Sequence, residues 1–120
     1  MERVTGNRIV DLSFDFALSI IDFSELLEEK KKFVIAKQIL RSGTSIGANV
    51  SEAQNGESKA DFIHKLKIAA KEADETEYWL LLCKYAKSYP FDESLLEKLT
   101  ETKKVLSSII ITSKKNLKHD

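Results

Sequence analysis

Asp61-Phe62-Ile63-His64 is the one place where a carboxylate and an imidazole fall at the spacing that helical metal sites use. Di-metal bundles need Glu-x-x-His on each of two helices, plus a glutamate from each of two others. This chain offers one acidic-x-x-His pair, and its other histidine, His119, is next to the C-terminus. No metal site is expected, and His64 reads as a boundary histidine with Asp61 one turn away. Cys83 is the only cysteine, which rules out an intramolecular disulfide and fits a reducing compartment. It falls on an apolar helical seam, where cysteine behaves as a small hydrophobe, and no histidine is near it in sequence. Gly43 and Gly47 lack the Walker spacing and its Gly-Lys pair, so they are no phosphate loop. Glu52, Glu72 and Glu75 lie on helices, but acid–base work needs a cleft that the pattern does not supply. An enzyme, a cofactor and a small-molecule substrate are not expected.

Nucleic-acid chemistry needs basic side chains and stacking aromatics. Formal net charge is zero, which counts against a dedicated binder but leaves room for a local patch. The charge is strongly segregated. Residues 9–29 carry six acids and no base, while residues 103–118 carry Lys103, Lys104, Lys114, Lys115 and Lys118 and no acid. One reading is complementary pairing of the first and last helices, with lysines placed favourably at a helix C-terminus. The other is a basic end that contacts phosphate; Arg41 joins these five lysines as a candidate contact. Tyr78, Trp79, Tyr85 and Tyr89 could stack on bases, though at helical spacing such residues more often serve a core or an interface.

The elements that position these residues are helices. With 120 residues, 42% hydrophobic and 32% charged, and with Pro90 as the only proline, the chain reads as one all-α domain. No stretch approaches 18 apolar residues, so no membrane span is expected. The N-terminus has no apolar core of signal-peptide length. A first helix over Arg8–Glu29 carries one apolar stripe of Ile9, Leu12, Phe16, Ile20, Phe23 and Leu27. A second stripe, Val10, Phe14, Ala17 and Ile21, runs beside it. That sector is broader than a monomeric bundle needs, which points to a crowded bundle centre or another subunit.

Helix 3 is expected over Lys59–Lys87, capped by Ser58. Its seam is Phe62, Leu66, Ala69, Ala73, Thr76, Leu80 and Cys83, flanked by Trp79, Leu82 and Ala86. Tyr89-Pro90-Phe91 then breaks the helix. Asp92 caps a fourth helix with Leu95, Leu96, Leu99, Thr102, Leu106, Ile109 and Ile110 inward, fraying within Lys114–Asp120. Short connections make neighbours antiparallel. The expected architecture is an up-down-up-down four-helix bundle, its helices roughly 33–44 Å long.

Between Lys32 and Gln54 two stripes keep helical phase through a run of small residues. They are Phe33, Ala36, Leu40, Gly43, Gly47, Val50 and Ile35, Ile39, Ser42, Ile46, Asn49, Ala53. A loop there would preserve phase only by chance, so one helix is expected, ended by Asn55-Gly56 through a left-handed glycine. A kink at Gly43–Ser45 is the alternative. Each interior glycine costs about 1 kcal/mol relative to alanine. Close approach of a neighbouring helix would offset that cost, which makes Gly43, Gly47, Asn49 and Ala53 candidate packing or interface residues. Asn49, on a packed face, needs a hydrogen-bond partner.

The run from Gln38 to Ala53 resembles the signature of the four-helix-bundle family known from 23S rRNA intervening sequences, approximately Gln-Leu-Arg-Arg-Ala-Ala-x-Ser-Ile-Pro-x-Asn-Ile-Ala-Glu-Gly. Ser58-Lys59-x-Asp61-Phe62-Ile63-x-x-Leu66-x-Ile68-Ala69 resembles its next block. The specific part covers about a third of the chain. The resemblance implies a bacterial cytoplasmic bundle that assembles as a homopentameric ring, with no catalytic residues to carry over. It further implies kinship with the accessory variability proteins of diversity-generating retroelements, basic pentamers that bind nucleic acid. Gly47 stands where the family often has proline, and Ala53 where it often has glycine. Two functions follow as expectations. One is a non-catalytic oligomeric bundle that contacts RNA or a ribonucleoprotein. The other is a protein-interaction adaptor without nucleic-acid contact, favoured by the neutral net charge.

Overall fold

A computed structural model describes residues 4–119, with side chains up to Leu117. Four helices follow one another: α1 Arg8–Glu29, α2 Phe33–Ala53, α3 Lys59–Tyr85 and α4 Glu93–His119. Each packs on two others, in the cyclic order α1, α2, α3, α4, and the diagonal pairs do not touch. Paired residues run in opposite order at every seam. Asn7 meets Gln54 while Ile20 meets Gly43. Glu52 meets Lys65 while Arg41 meets Glu75. Glu77 meets Lys103 while Lys84 meets Glu93. Adjacent helices are therefore antiparallel, and the bundle is 52 Å long.

The helix ends follow from local chemistry. The Asn7 side chain accepts from the Val10 amide and opens α1. At the other end Lys31 has a φ of 63°, and the Lys32 amide donates to the Leu27 carbonyl while the Lys31 amide donates to Glu28. That is a Schellman ending with lysine where glycine is usual. Ser58 accepts from the Asp61 amide, and Asp92 from the Ser94 amide, as caps of α3 and α4.

Apolar residues at three-four spacing fill the centre. Phe16, Ile20, Leu27, Ile39, Ile46, Leu66, Leu80, Leu99 and Leu106 are fully buried. Each such side chain stabilises the fold by about 1.5–3 kcal/mol. The α3 seam is buried as its spacing predicts, except that Ile63 takes the inward position and Phe62 is half-buried.

Helix α2 is unbroken through the small-residue run. A Cβ built on Gly43 would lie 2.7 Å from Ile20 Cγ2 and 2.9 Å from Cγ1. On Gly47 it would lie 3.3 Å from the Ser13 carbonyl oxygen. The glycines let α1 reach the α2 backbone, and α2 is continuous because the gain in packing outweighs their helix cost. Ala53 is buried beside them.

Several expectations change. Gly56 does not adopt a positive φ. The chain instead leaves α2 through i→i+3 bonds at Gln54, Asn55 and Gly56. At 56 a Cβ would be tightly placed, 3.2 Å from both Asp61 Oδ2 and the Ala53 carbonyl oxygen. Helix α4 does not fray at Lys114 but continues to His119, and Asp120 lies outside the described residues. Phe33, placed on an inward stripe by its spacing, is 59% exposed, because it sits at the first turn of α2, next to the three-residue turn.

Replacing Gly43 by alanine should destabilise the protein. Overpacking costs about 1–3 kcal/mol, against about 1 kcal/mol returned by helix propensity. Urea unfolding should show a net loss of up to about 2 kcal/mol, and Gly43→Leu a larger one. A Gly43→Ala chain more stable than its parent by about 1 kcal/mol would show that the contact relaxes without cost.

Candidate functional site

The small-residue run faces two ways, and each side makes a different surface. On the α3 side, Arg41 projects from α2 between two acids. Its Nη1 donates to Glu72 Oε2 at 3.2 Å and its Nη2 to Glu75 Oε2. Trp79, the single tryptophan, donates its Nε1–H to the same Glu75 oxygen at 3.1 Å. Beneath this cluster Ser42 and Thr76 share a buried hydrogen bond of 2.9 Å, and Thr76 also donates to the Glu72 carbonyl. Both helices contribute a polar residue to an apolar seam, and the two meet. The hydrogen bond from Trp79, and then the Arg41 guanidinium, hold the Glu75 carboxyl below the usual range against the opposing effect of desolvation. Glu75 in turn raises Arg41. Pairs this exposed are worth about 1 kcal/mol or less, so the cluster sets register more than stability.

Arg41 is thus clamped by acids rather than open to phosphate. Lys103 is similar: it lies 2.9 Å from Asp74 and 3.3 Å from Glu77 on α3. Burial works against its charge, yet the two carboxylates outweigh that and raise its pKa. Lysine 103 therefore binds α3, not α1. The pairing of α1 with α4 comes through Lys98 with Asp15, at 3.4 Å, and Arg8 with Glu101, at 3.0 Å. Lys104 lines an open groove between α3 and α4. Lys114 and Lys115 are exposed on α4, three turns further along. The Lys118 side chain lies outside the described residues. Of the five whose side chains are described, Arg41 and Lys103 face acids of α3, while Lys104, Lys114 and Lys115 lie along α4.

Asn49 is half-buried, and its amide donates to the Ser45 carbonyl at 2.9 Å. The expected partner exists, but in its own helix.

On the α1 side the same run forms a shallow trough of about 300 Å³. It is lined by Val10, Ser13, Phe14, Ala17, Thr44, Gly47, Ala48 and Ser51. None of these is charged. Phe14, Leu18 and Ile21 on α1 are 36%, 41% and 38% exposed. The second α1 stripe therefore does not enter the bundle centre. It lies on the outer surface, where α2 offers only small side chains. Tyr78, Leu81, Leu82 and Tyr85 are also exposed, on the outer side of α3.

Among the described residues no group of three or more His, Cys, Asp or Glu could hold a metal ion. His64 is exposed. Cys83 is fully buried, and burial pushes its thiol up to about 11. Among the described residues no helix is long and apolar enough to cross a membrane.

The profile of the 23S rRNA-intervening sequence proteins matches residues 6–108. The chain belongs to that family. A crystal structure is similar in fold. It is a protein of unknown function from the S23 ribosomal protein family of Bacteroides thetaiotaomicron VPI-5482, with a TM-score of 0.75 and 51% identity. The alignment covers 85% of this chain and 97% of that one. No curated protein matches. The family match spans the glycine contact, the Arg41 clamp and the α1/α2 trough, whereas Lys114, Lys115 and Lys118 lie beyond its end.

Two measurements probe this site. A carboxyl held low in the folded state stabilises above its unfolded pKa of about 4.3 and loses that contribution as pH falls through its folded value. Trp79 fluorescence should therefore titrate with a midpoint below about 4.3, and Glu75→Gln should abolish that transition. A midpoint at or above the ordinary glutamate value would contradict the Trp79–Glu75 bond. Separately, Cys83 should resist a thiol reagent at pH 8 and react fully once urea unfolds the chain. Rapid labelling of the folded protein would contradict its burial.

Proposed function

We propose that this protein is a non-catalytic, cytoplasmic, homo-oligomeric bundle, ring-shaped with five copies favoured, that associates with RNA or a ribonucleoprotein. The observation that carries the assembly is the α1/α2 face, where Val10, Phe14 and Ala17 border small residues with no charge among the trough's lining. Exposed apolar surface of this kind marks interaction sites. The RNA component rests on the family's name and on Lys104 and Lys115. A ring would repeat their weak attraction once per copy.

A second reading, a protein-interaction adaptor without nucleic acid, draws on a specific observation. Arg41 and Lys103 are each neutralised by two carboxylates of α3, and net charge is zero. Light scattering at micromolar concentration should give a mass several times 13.6 kDa; a monomer would overturn the assembly. In a gel-shift series with structured RNA, retention should weaken steeply as salt rises. It should be lost when Lys114, Lys115 and Lys118 become glutamate. No shift at low salt would select the adaptor.

A further inference from the structure

The α1–α2 turn and the α3–α4 connection form one end of the bundle, and they bring together two stretches without acid. Residues 30–51 carry Lys30, Lys31, Lys32, Lys37 and Arg41 and no acid; residues 78–91 carry Lys84 and Lys87 and no acid. The Lys32 ammonium donates to Ser88 Oγ at 3.0 Å and lies 4.9 Å from the centre of the Tyr89 ring, which ties the turn to the connection. Heights along the α2/α3 seam place the rest. Arg41 meets Glu75. About two turns back along α2 is Val34, and about two turns on along α3 is Leu82, on the same sides of their helices. Tyr78 and Tyr85 flank Leu82 at helical spacing on the outer side of α3.

Val34 and Tyr85 are each 76% exposed, and Phe33 and Tyr78 are more than half exposed. Side chains this exposed project from the surface and do not line a groove. Among the described residues Lys30, Lys31, Lys37 and Lys87 are exposed and form no ion pair. The acids of this end, Glu28, Glu29, Asp92 and Glu93, belong to the last turn of α1 and to the cap and first turn of α4, and Glu93 is paired to Lys84.

We propose that this end of the bundle docks on an anionic lipid surface. Phe33, Val34, Leu82 and Tyr85 enter the headgroup layer, and the unpaired lysines stay at the level of the lipid phosphates. Apolar side chains bordered by lysines are what attachment in the plane of a membrane uses. Tyrosine suits that boundary with an apolar body and a polar tip, and lysine stems reach along apolar surface to keep the charge in water. Each lysine near an anionic bilayer adds to the attraction. Single-stranded RNA fits less well: Val34 and Leu82 offer no flat face to a base, and Tyr78 is already packed edge-on against Trp79, with ring centres 5.4 Å apart. The inference goes beyond the function proposed above and does not depend on it. Lys114 and Lys115 lie at the opposite end of the bundle, near the end of α4.

Co-flotation with vesicles tests it. The chain should float with phosphatidylcholine vesicles containing roughly 30% phosphatidylglycerol, and not with phosphatidylcholine alone. Replacing Lys30, Lys37 and Lys87 together by glutamine should weaken binding about a hundredfold. Val34→Ser with Tyr85→Ser should weaken it about tenfold, whereas glutamine at Lys114, Lys115 and Lys118 should leave it unchanged. All the substituted side chains at this end are exposed, and circular dichroism checks that each variant is folded. A polarity-sensitive dye on Val34→Cys should shift to the blue on anionic vesicles, and the same dye on Asn116→Cys should not; buried Cys83 should stay unlabelled. No flotation at low salt overturns the proposal. So does binding that the Val34 and Tyr85 exchanges leave intact, which would be adsorption by charge alone. Lysine variants that lose an RNA gel shift while still floating with the vesicles overturn it in favour of RNA on this surface.

Discussion

The contact of Ile20 with the backbone of Gly43 is the constraint on which the rest of the bundle depends. Once α1 lies against a side-chain-free strip of α2, the rotation of both helices is set. Ile20, Ile39 and Ile46 then point to the centre, and Ser13 meets Gly47 about one turn of α2 further along. The same rotation decides what is left outside. The second apolar stripe of α1 cannot follow the first inward, because Ser13 and Ser24 occupy the α2 side of the helix and the close contact leaves no room for more. Tight packing inside and an apolar trough outside are two consequences of one small-residue run.

Charge in this chain is organised by helix α3. Its acids at Glu72, Glu75, Asp74 and Glu77 reach Arg41 on one side and Lys103 on the other. These pairs are partly exposed and weak individually. They matter because they choose register, holding α2 and α4 at fixed heights on either side of α3. They also consume two of the basic residues that nucleic-acid binding would otherwise use. At Arg41 and Lys103 charge is therefore neutralised locally, by the acids of α3.

The described residues contain no metal-binding group, and the single thiol is buried and held in its protonated form. What the surface offers is a trough whose lining carries no charge and a groove between α3 and α4. Helices packed in a square present four such faces, and only those with low side chains and apolar borders gain by being covered.

Much of the fold was legible in the chain. The extents of α1, the continuity of α2 and the inward seam of α3 follow from three-four spacing, since each helix must turn one apolar sector to a common core. The identity of the family was legible too, in the run from Gln38 to Ala53. Other features were not. A left-handed glycine at 56 is a reasonable reading of Asn-Gly, yet the turn uses glycine for want of space beside Asp61 instead. Six basic residues could be named, but not their partners: Arg41 and Lys103 meet acids more than 25 positions away in sequence. The second stripe of α1 showed an excess of apolar surface without showing its direction. Periodicity along one helix is a local property, so the sequence by itself determined which residues share a face. Which faces meet, which charges cancel and which apolar surface remains exposed depend on how four helices are rotated and shifted against one another, and only the tertiary structure decided that.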